Sequence, residues 1–579
     1  MKWDLQFFYS SVDDPRIEED IQLVLKKAQE FQEKYAKQLN EPLRAQMVDE
    51  MFKEQESIES FGSRVAQFSS LLFSENTQNI EAQKLAGRIE TVMAQVEQLF
   101  SFISPALLQH SDEELQQIKE TSNGYSWVIE RIKERKTHTL TTETEQVLAA
   151  KSATGRDNLG SLYSKVTSAY LFEMEINGQI QQLNNSQMRN LRYNPDSTLR
   201  REAMKRLLNG YEKDKTVITG LYNNIAKDYD IESKIRRYQT PISMRNMANE
   251  TEDAIVEQLI ETTVKNAGLV SRYYAWKAKK MSLDLELADI YAPLEEVKKD
   301  YSFEQAKDIV IDTYYQFDEQ AGKIVESFFD EKRIHSDVLP GKDGGAFCSY
   351  YVPNGKPFVL LNHNNSINDV LTMAHELGHG LHGTLSSKQT MLNYHTPLTM
   401  AEVASVFGEF LVFDRLLPTL NAQEKQLFLA STIEGNFATT FRQNMFARFE
   451  LQSHHMISQE GFASWDDLSK IYESELKIMF GDSVRISNEY KWEWATIPHI
   501  FNVPFYVYAY NFANLLVIAL YEKYLKEGKQ MIPGYFQLLE SGGCDRPDRL
   551  LAYLGIDLTD PSFWQNGFDY IGRLIDELE

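Results

Sequence analysis

The sequence predicts a mainly α-helical protein with at least two lobes and one small β element. Glycine and proline are sparse over residues 18–180, where helix-forming residue types dominate. Apolar residues recur there at helical spacing, as at Leu85, Ile89, Val92 and Val96. A chain of 579 residues is also too long for one simple core. These observations indicate packed helices in more than one compact part.

The β element is predicted in the only stretch where the composition changes clearly. A glycine-rich loop over 339–345 is followed by two segments rich in β-formers, 346–352 and 357–361. Asn354-Gly355 lies between them, and Asn-Gly between apolar runs is typical of a hairpin. We therefore expect a hairpin here, with helical structure resuming after it.

The domain boundary is predicted at the turn signal Asn-Pro-Asp-Ser over residues 194–197. It divides the chain into an N-terminal helical lobe over 1–195 and a second domain over 196–579. No flexible linker rich in Pro, Gly or Ser accompanies this turn. The boundary is therefore expected between packed parts rather than at a tether.

Charge and cysteine content restrict the possible partners and compartments. The formal charge of −24 argues against nucleic-acid binding, because phosphates would be repelled. The two cysteines, Cys348 and Cys544, are predicted to be free thiols rather than a pair, as expected in a reducing compartment. The longest apolar run, at 515–520, is far too short to span a membrane. Cytoplasmic location without nucleic-acid or membrane partners is the expectation.

The most informative motif reads His-Glu-Leu-Gly-His over residues 375–379, the HExxH pattern. His375 and His379 lie four apart, so on a helix both imidazoles project from one face towards a common metal ion. Glu376 lies to the side, where it can reach a water without binding the metal. Ser366, with an acid three residues later, predicts a helix that begins near Ile367. The alternative interpretation is a helix with exposed surface histidines.

His382 follows the motif and competes for a role as the third ligand. A continuous helix places His382 a turn beyond the metal. Contact with a metal-binding side chain or with the substrate is therefore the preferred interpretation. A carboxylate from a second helix is the other common third ligand, and residues 399–410 supply Glu402 and Glu409. The two are about 10 Å apart along a helix, so only one can bind the metal. For Glu402 a capping box with Thr399 remains an equal alternative.

Together these segments resemble oligoendopeptidase F, the bacterial branch of the thimet-oligopeptidase family of zinc peptidases. The likeness covers nearly the whole chain. It lies in the segments 3–5, 345–348, 375–382, 401–409, 494–499, 505–510 and 539–543.

The resemblance implies one zinc ion per chain, bound by His375, His379 and Glu402, with Glu376 as the catalytic base. It implies a zincin-like fold of the gluzincin type, with two helical lobes around a deep channel. The segment 196–579 is then the catalytic domain, and its substrates are short unstructured peptides cut at internal bonds. The resemblance also implies a cytoplasmic protein; a monomer and a homodimer both remain open.

The resemblance further implies substrate contacts from His499 and the tyrosines Tyr506, Tyr508 and Tyr510, with Tyr506 and Tyr510 as the main candidates. Their alternation resembles a strand, whereas Pro504 resembles a helix start that would place Tyr506 and Tyr510 on one face. Packing in an aromatic core is the alternative for each of them. Whether the enzyme cuts internally or at chain ends, or whether the metal is merely structural, is left open by the residues alone.

Overall fold

The computed structural model describes residues 1–152, 154–294 and 299–579. Residues 1–152 contain α1 (Pro15–Gln38), α2 (Ala45–Glu75), α3 (Ile80–Phe100), α4 (Ile103–Leu107), α5 (Asp112–Thr121), α6 (Ser126–Glu134) and α7 (Thr142–Ser152). Residues 154–294 contain α8 (Arg156–Ser168), β1 (Phe172–Ile176), β2 (Gln179–Leu183), α9 (Asn185–Asn190), α10 (Ser197–Glu212), α11 (Lys215–Ile235), α12 (Pro241–Ala248), α13 (Asp253–Lys265) and α14 (Gly268–Met281).

The third segment carries the motif helix and a small sheet. Its elements are α15 (Phe303–Phe317), α16 (Glu319–Asp330), β3 (Ile334–His335), β4 (Phe347–Ser349), β5 (Phe358–Leu360), α17 (Ile367–Leu385), α18 (Leu398–Ala401), α19 (Val403–Leu416), α20 (Ala422–Asn436), α21 (Arg442–Glu460), α22 (Trp465–Phe480), α23 (His499–Asn502), α24 (Tyr508–Glu527), α25 (Ile532–Glu540), α26 (Pro547–Ala552) and α27 (Pro561–Asp576). The prediction of a mainly helical chain with a small β element next to the HExxH helix is confirmed.

The described chain forms two compact units, each assembled from three stretches of sequence. Unit 1 comprises Met1–Thr137, Lys298–Thr419 and Lys523–Ile556, and unit 2 comprises His138–Val297, Leu420–Glu522 and Asp557–Glu579. The predicted division into a helical lobe over 1–195 and a second domain over 196–579 stays a prediction.

The core of unit 1 joins the N-terminal helices to the small sheet. The apolar stripe predicted on α3 is buried, and it packs in one cluster with α1, α2 and two side chains of β5, Phe358 and Leu360. The sheet has the order β3-β5-β4, with β3 parallel and β4 antiparallel to β5. The hairpin prediction is confirmed, and Asn354 in its loop has the positive φ of 59° that Asn-Gly turns favour.

Unit 2 has its own aromatic core. The ring of Tyr163 on α8 stacks on Phe501 with centroids 3.8 Å apart, and Trp494 is fully buried beside them. Arg200 of α10 and Asp289 form a buried ion pair at 2.9 Å. Asp196 caps α10, which confirms the turn predicted at 194–197. In the part of the chain that the structure describes, no helix combines the length and apolarity needed to cross a membrane.

Candidate metal centre

Helix α17 begins where the sequence predicts. Ser366 Oγ accepts the N–H of Asp369 at 3.2 Å, and the Asp369 carboxylate accepts the N–H of Ser366 at 2.8 Å, which completes a capping box. One face of this helix is apolar and buried, at Val370, Met373, Ala374, Leu377 and Leu381. The opposite side of the helix carries the half-buried rings of His375 and His379. The local structure of the motif therefore follows from the helix cap at Ser366 and from the helical spacing of the apolar residues.

Two glycines bring helices α17 and α19 unusually close. A Cβ on Gly378 would lie 2.4 Å from the Ala404 carbonyl oxygen, and one on Gly408 would lie 3.0 Å from the Ala374 carbonyl oxygen. Any side chain at either position would push the helices apart. The sequence analysis assigned no role to these glycines. The signal that could have indicated one is the presence of a glycine in each of the two segments that supply the candidate ligands, 375–379 and 399–410. Their absent side chains let Glu402 reach the two histidines.

The side chains of His375, His379 and Glu402 converge on one point. Glu402 Oε2 lies 3.3 Å from His375 Nε2 and 3.4 Å from His379 Nε2, and all three atoms lie within 4.8 Å of one another. A tetrahedral zinc ion with bonds of about 2.0–2.1 Å separates its ligand atoms by about 3.3–3.4 Å. The donor set suits a metal ion such as zinc, and the two distances to Glu402 Oε2 equal those expected between ligand atoms of a tetrahedral site. The three predicted ligands are thus placed together.

Glu402 lies between α18 and α19 rather than inside one helix. Its backbone is the N-cap of α19, and Thr399 lies inside α18, whose N-cap is Pro397. The side chain instead accepts a hydrogen bond from Ser405 Oγ at 2.6 Å. Burial alone raises the pKa of Glu402, but the hydrogen bond from His379 and the charges of His379 and His375 lower it to about 2. The carboxylate is therefore ionised and oriented towards the histidines.

Glu409 contacts the candidate metal centre through His375. The His375 Nδ1–H donates to the Glu409 carboxylate, so the other ring nitrogen faces Glu402. Burial by itself lowers the pKa of His375, but the hydrogen bond and charge of Glu409, with Glu376 and Glu402, raise it to about 9. A carboxylate behind a metal-binding histidine fixes its tautomer and raises its basicity. Glu409 therefore contacts His375 from outside the group formed by His375, His379 and Glu402.

Glu376 and His382 are both buried beside the cluster. Burial raises the pKa of the Glu376 carboxyl above its usual 4.5, an effect that the charges of His375 and His379 reduce. Burial lowers the pKa of His382 to about 3, with smaller contributions from His379 and His395, so this imidazole is neutral. His382 Nδ1 is buried without a hydrogen-bond partner among the described residues. His382 does not belong to the ligand cluster.

The edge strand β4 lies beside the motif helix. A Cβ on Gly383 of α17 would lie 2.9 Å from the Tyr350 ring, and the charge of Glu376 adds to burial in raising the pKa of the Cys348 thiol. Cys348 and Cys544 are both free thiols, as predicted. Strand β4 therefore passes close to Glu376.

The hydrogen bonds of β5 decide which backbone groups of β4 face its open edge. The Val359 N–H donates to the Arg333 carbonyl at 2.9 Å, so Val359 faces β3. Its neighbours on β5 then face β4, and they pair with Phe347 and Ser349. The N–H and C=O of Cys348 are left facing the outer edge of β4, which no strand of the described residues covers.

His499, Tyr506 and Tyr510 form a cluster in unit 2. The His499 ring lies parallel to Tyr506 with centroids 6.3 Å apart, and both meet Tyr510 edge to face. All three are partly or fully exposed, whereas Tyr508 is buried and accepts a hydrogen bond from Asn249 at 2.8 Å. Packing in the protein core, the alternative to a substrate contact, therefore holds for Tyr508. A substrate role for His499, Tyr506 and Tyr510 stays a prediction.

The strand-like alternation of these tyrosines is not realised, and the helix that the sequence suggests from Pro504 begins later, with α24 at Tyr508. Tyr506 and Tyr510 nevertheless pack against each other, with ring centroids 5.3 Å apart. Phe505 has a positive φ of 58°, and its N–H donates to the buried Glu450 carboxyl at 2.7 Å. Burial raises the pKa of Glu450 to about 8. This long-range hydrogen bond holds a turn that local propensity does not predict.

Comparisons with known proteins agree with the resemblance. The sequence model of Peptidase family M3 matches residues 190–570. An oligoendopeptidase F homologue of Borreliella burgdorferi is 27% identical over 100% of this chain and 98% of its own, and oligopeptidase PepF of Bacillus subtilis is 27% identical over 89% and 78%. The fold is similar to crystal structures of a Chlamydophila abortus protein (TM-score 0.90, 23% identity, 100% and 97% covered) and of Enterococcus faecium oligoendopeptidase-F (0.72, 22%, 98% and 99%).

Proposed function

The chain belongs to peptidase family M3, and from this premise we propose that it is a zinc endopeptidase that cuts internal bonds of short, unstructured peptides. Family membership makes it a metallopeptidase; the metal, the internal cleavage and the residue roles are our proposal. The observation that carries it is the convergence of His375, His379 and Glu402 at spacings that suit a tetrahedral zinc ion. A structural zinc would need a fourth protein ligand, and the described cluster offers three.

The reaction divides between the metal and one carboxylate. Zinc, when bound, lowers the pKa of its water to about 7 and polarises the scissile carbonyl. The Glu376 carboxylate accepts the proton of the attacking water and passes it to the leaving amine nitrogen. Burial supports this role, because it raises the pKa of Glu376 towards the range of an efficient base. Glu409 keeps His375 in the tautomer that presents Nε2 to the metal.

The donors proposed for the substrate oxygen are His499 and one of Tyr506 and Tyr510. An oxyanion that develops in the transition state is stabilised by preorganised hydrogen-bond donors. The resemblance supports these residues, together with their clustering and partial exposure in unit 2. Contact between His382 and substrate remains a proposal as well. The proposed location is the cytoplasm, which the two free thiols support.

The open edge of β4 is proposed to bind the peptide backbone by strand addition, which needs little sequence preference. Ala346→Pro is expected to raise KM for peptides by about fivefold to tenfold, the effect of losing one backbone hydrogen bond. Proline here removes an N–H two residues before Cys348, on the same side of an extended backbone. Steady-state kinetics on a quenched peptide measure the change. An unaltered KM in a folded, zinc-loaded variant would remove strand addition from the account.

The experiment that tests the proposed function uses an internally quenched peptide blocked at both ends. We expect cleavage at an internal bond, loss of activity with a chelator and recovery with zinc. An exopeptidase of the same zinc class needs a free terminus and would leave the blocked peptide intact. A matched peptide with free termini separates the two outcomes, because an exopeptidase would cut only that one.

A further inference from the structure

A buried glutamine of the N-terminal helix α2 is hydrogen-bonded to the hairpin that carries the edge strand. Gln67 is 1% exposed, and its Nε2 donates to the Ser349 carbonyl at 2.8 Å and to the Lys356 carbonyl at 3.2 Å. Ser349 ends β4, and Lys356 lies in the loop two residues before β5. One amide group therefore joins both sides of the hairpin at its loop end.

The hairpin needs such an external contact because its own ladder is short. Strands β4 and β5 pair over three residues each, and β5 pairs with β3 over only two, so backbone pairing alone holds β4 weakly. The start of β4 is held separately, since Asn362 Nδ2 donates to the Asp343 and Gly345 carbonyls, both at 2.8 Å. Gln67 holds the opposite end. Both ends of the strand that passes Glu376 are thus fixed by side-chain amides.

The Gln67 bonds leave the open edge of β4 free. The backbone groups of Ser349 face β5 rather than the open edge. Its carbonyl therefore accepts the Gln67 hydrogen bond on the side of β4 that β5 covers. The edge-facing groups are those of Cys348, which Gln67 does not contact through any of its hydrogen bonds to the hairpin. Gln67 can therefore order the strand without occupying the position of a peptide.

We propose that Gln67 is a positioning residue for peptide binding, which holds β4 in the register that pairs with the substrate backbone. The inference rests on the proposed function of the β4 edge. It assigns a part in substrate binding to α2, which lies outside the segment 190–570 matched by the family. Ordering the strand in advance lowers the cost of ordering it when peptide binds.

The test is Gln67→Met, which keeps the side-chain length and removes both donors. We expect KM for a quenched peptide to rise about fivefold to tenfold while kcat stays within about twofold. This pattern arises when a change weakens binding of the substrate and of the transition state equally. Zinc content should equal that of the wild-type protein. A purely structural role would lower the melting temperature and the active fraction, and hence kcat, without raising KM.

Peptides methylated at single backbone nitrogens locate the effect. Methylation of the nitrogen that pairs with β4 should raise KM in the wild type and have a smaller effect in Gln67→Met. Tyr35→Phe is the matched control, since it removes a hydrogen bond to Glu54 of α2 at 2.9 Å and leaves the hairpin bonds intact. Gln67→Glu, whose carboxylate would face two carbonyl oxygens, serves as a second variant if the methionine variant does not fold, and the same rise in KM is expected for it.

The outcomes separate the inference from its premise. If methylation affects the wild type and neither Gln67 variant changes KM, the role of Gln67 is refuted while strand addition stands. If no single methylation affects the wild type, strand addition fails, and the role of Gln67 fails with it. If the wild type does not cleave the unmethylated peptide, the proposed function itself fails.

Discussion

Glu376→Gln is expected to retain one zinc per chain and to lose turnover by about 10²–10⁴-fold, the usual contribution of a general base. The amide keeps the size of the side chain but cannot accept the proton of the attacking water. The three side chains proposed to bind the metal, His375, His379 and Glu402, are unchanged, so metal content measured by atomic absorption should not differ. Single-turnover kinetics on the blocked peptide measure the loss.

The control is Glu540→Gln, the same chemical change at a carboxylate that pairs with Lys388 at 2.5 Å. It should leave turnover unchanged. Turnover close to wild type in zinc-loaded Glu376→Gln would exclude Glu376 as the base.

The pH dependence follows from the same residue. Glu376 must be ionised to act as a base, and burial raises its pKa above 4.5. Activity of the wild type should therefore increase as pH rises through a pKa above 4.5. In Glu376→Gln the residual activity should lack this acidic limb.

Glu402→Gln is expected to lose zinc, because a neutral amide replaces the anionic ligand between the two histidines. Glu409→Gln is the graded comparison. It removes only the partner of His375, a change that typically costs about 10–100-fold in metal affinity. The loss in Glu402→Gln should exceed that range. Competition with a chelator of known affinity measures both.

Recovery by added metal distinguishes the two carboxylates. Excess zinc should restore activity to Glu409→Gln, because all three ligands remain, and should not restore it to Glu402→Gln. Wild-type zinc affinity in Glu402→Gln, or a larger loss in Glu409→Gln, would reverse the roles assigned to them.

Features that depend on local spacing could be predicted from the sequence. The start of α17 at Ile367 follows from the capping residue Ser366. The common face of His375 and His379 follows from their helical spacing of four residues. The hairpin at 346–361 follows from Asn-Gly between β-formers, and the free state of both cysteines from their number.

Features that depend on contacts between distant segments could not be predicted in this way. The sequence alone left Glu402 equally suited to capping and to metal binding. The position of its carboxylate beside both histidines depends on the close approach of α17 and α19 at Gly378. The turn before α24 depends on Glu450, far away in sequence, which accepts the Phe505 N–H. Gln67 lies in an ordinary amphipathic helix, and nothing local marks it as a partner of the hairpin.

The central claim is that His375, His379 and Glu402 bind one zinc ion and leave a position for water. A crystal structure of the zinc-loaded protein, with anomalous data on both sides of the zinc absorption edge, tests it directly. We expect one anomalous peak about 2.0–2.2 Å from His375 Nε2, His379 Nε2 and a Glu402 oxygen, with a water as the fourth ligand. A peak elsewhere, or a fourth protein ligand in place of the water, would contradict it.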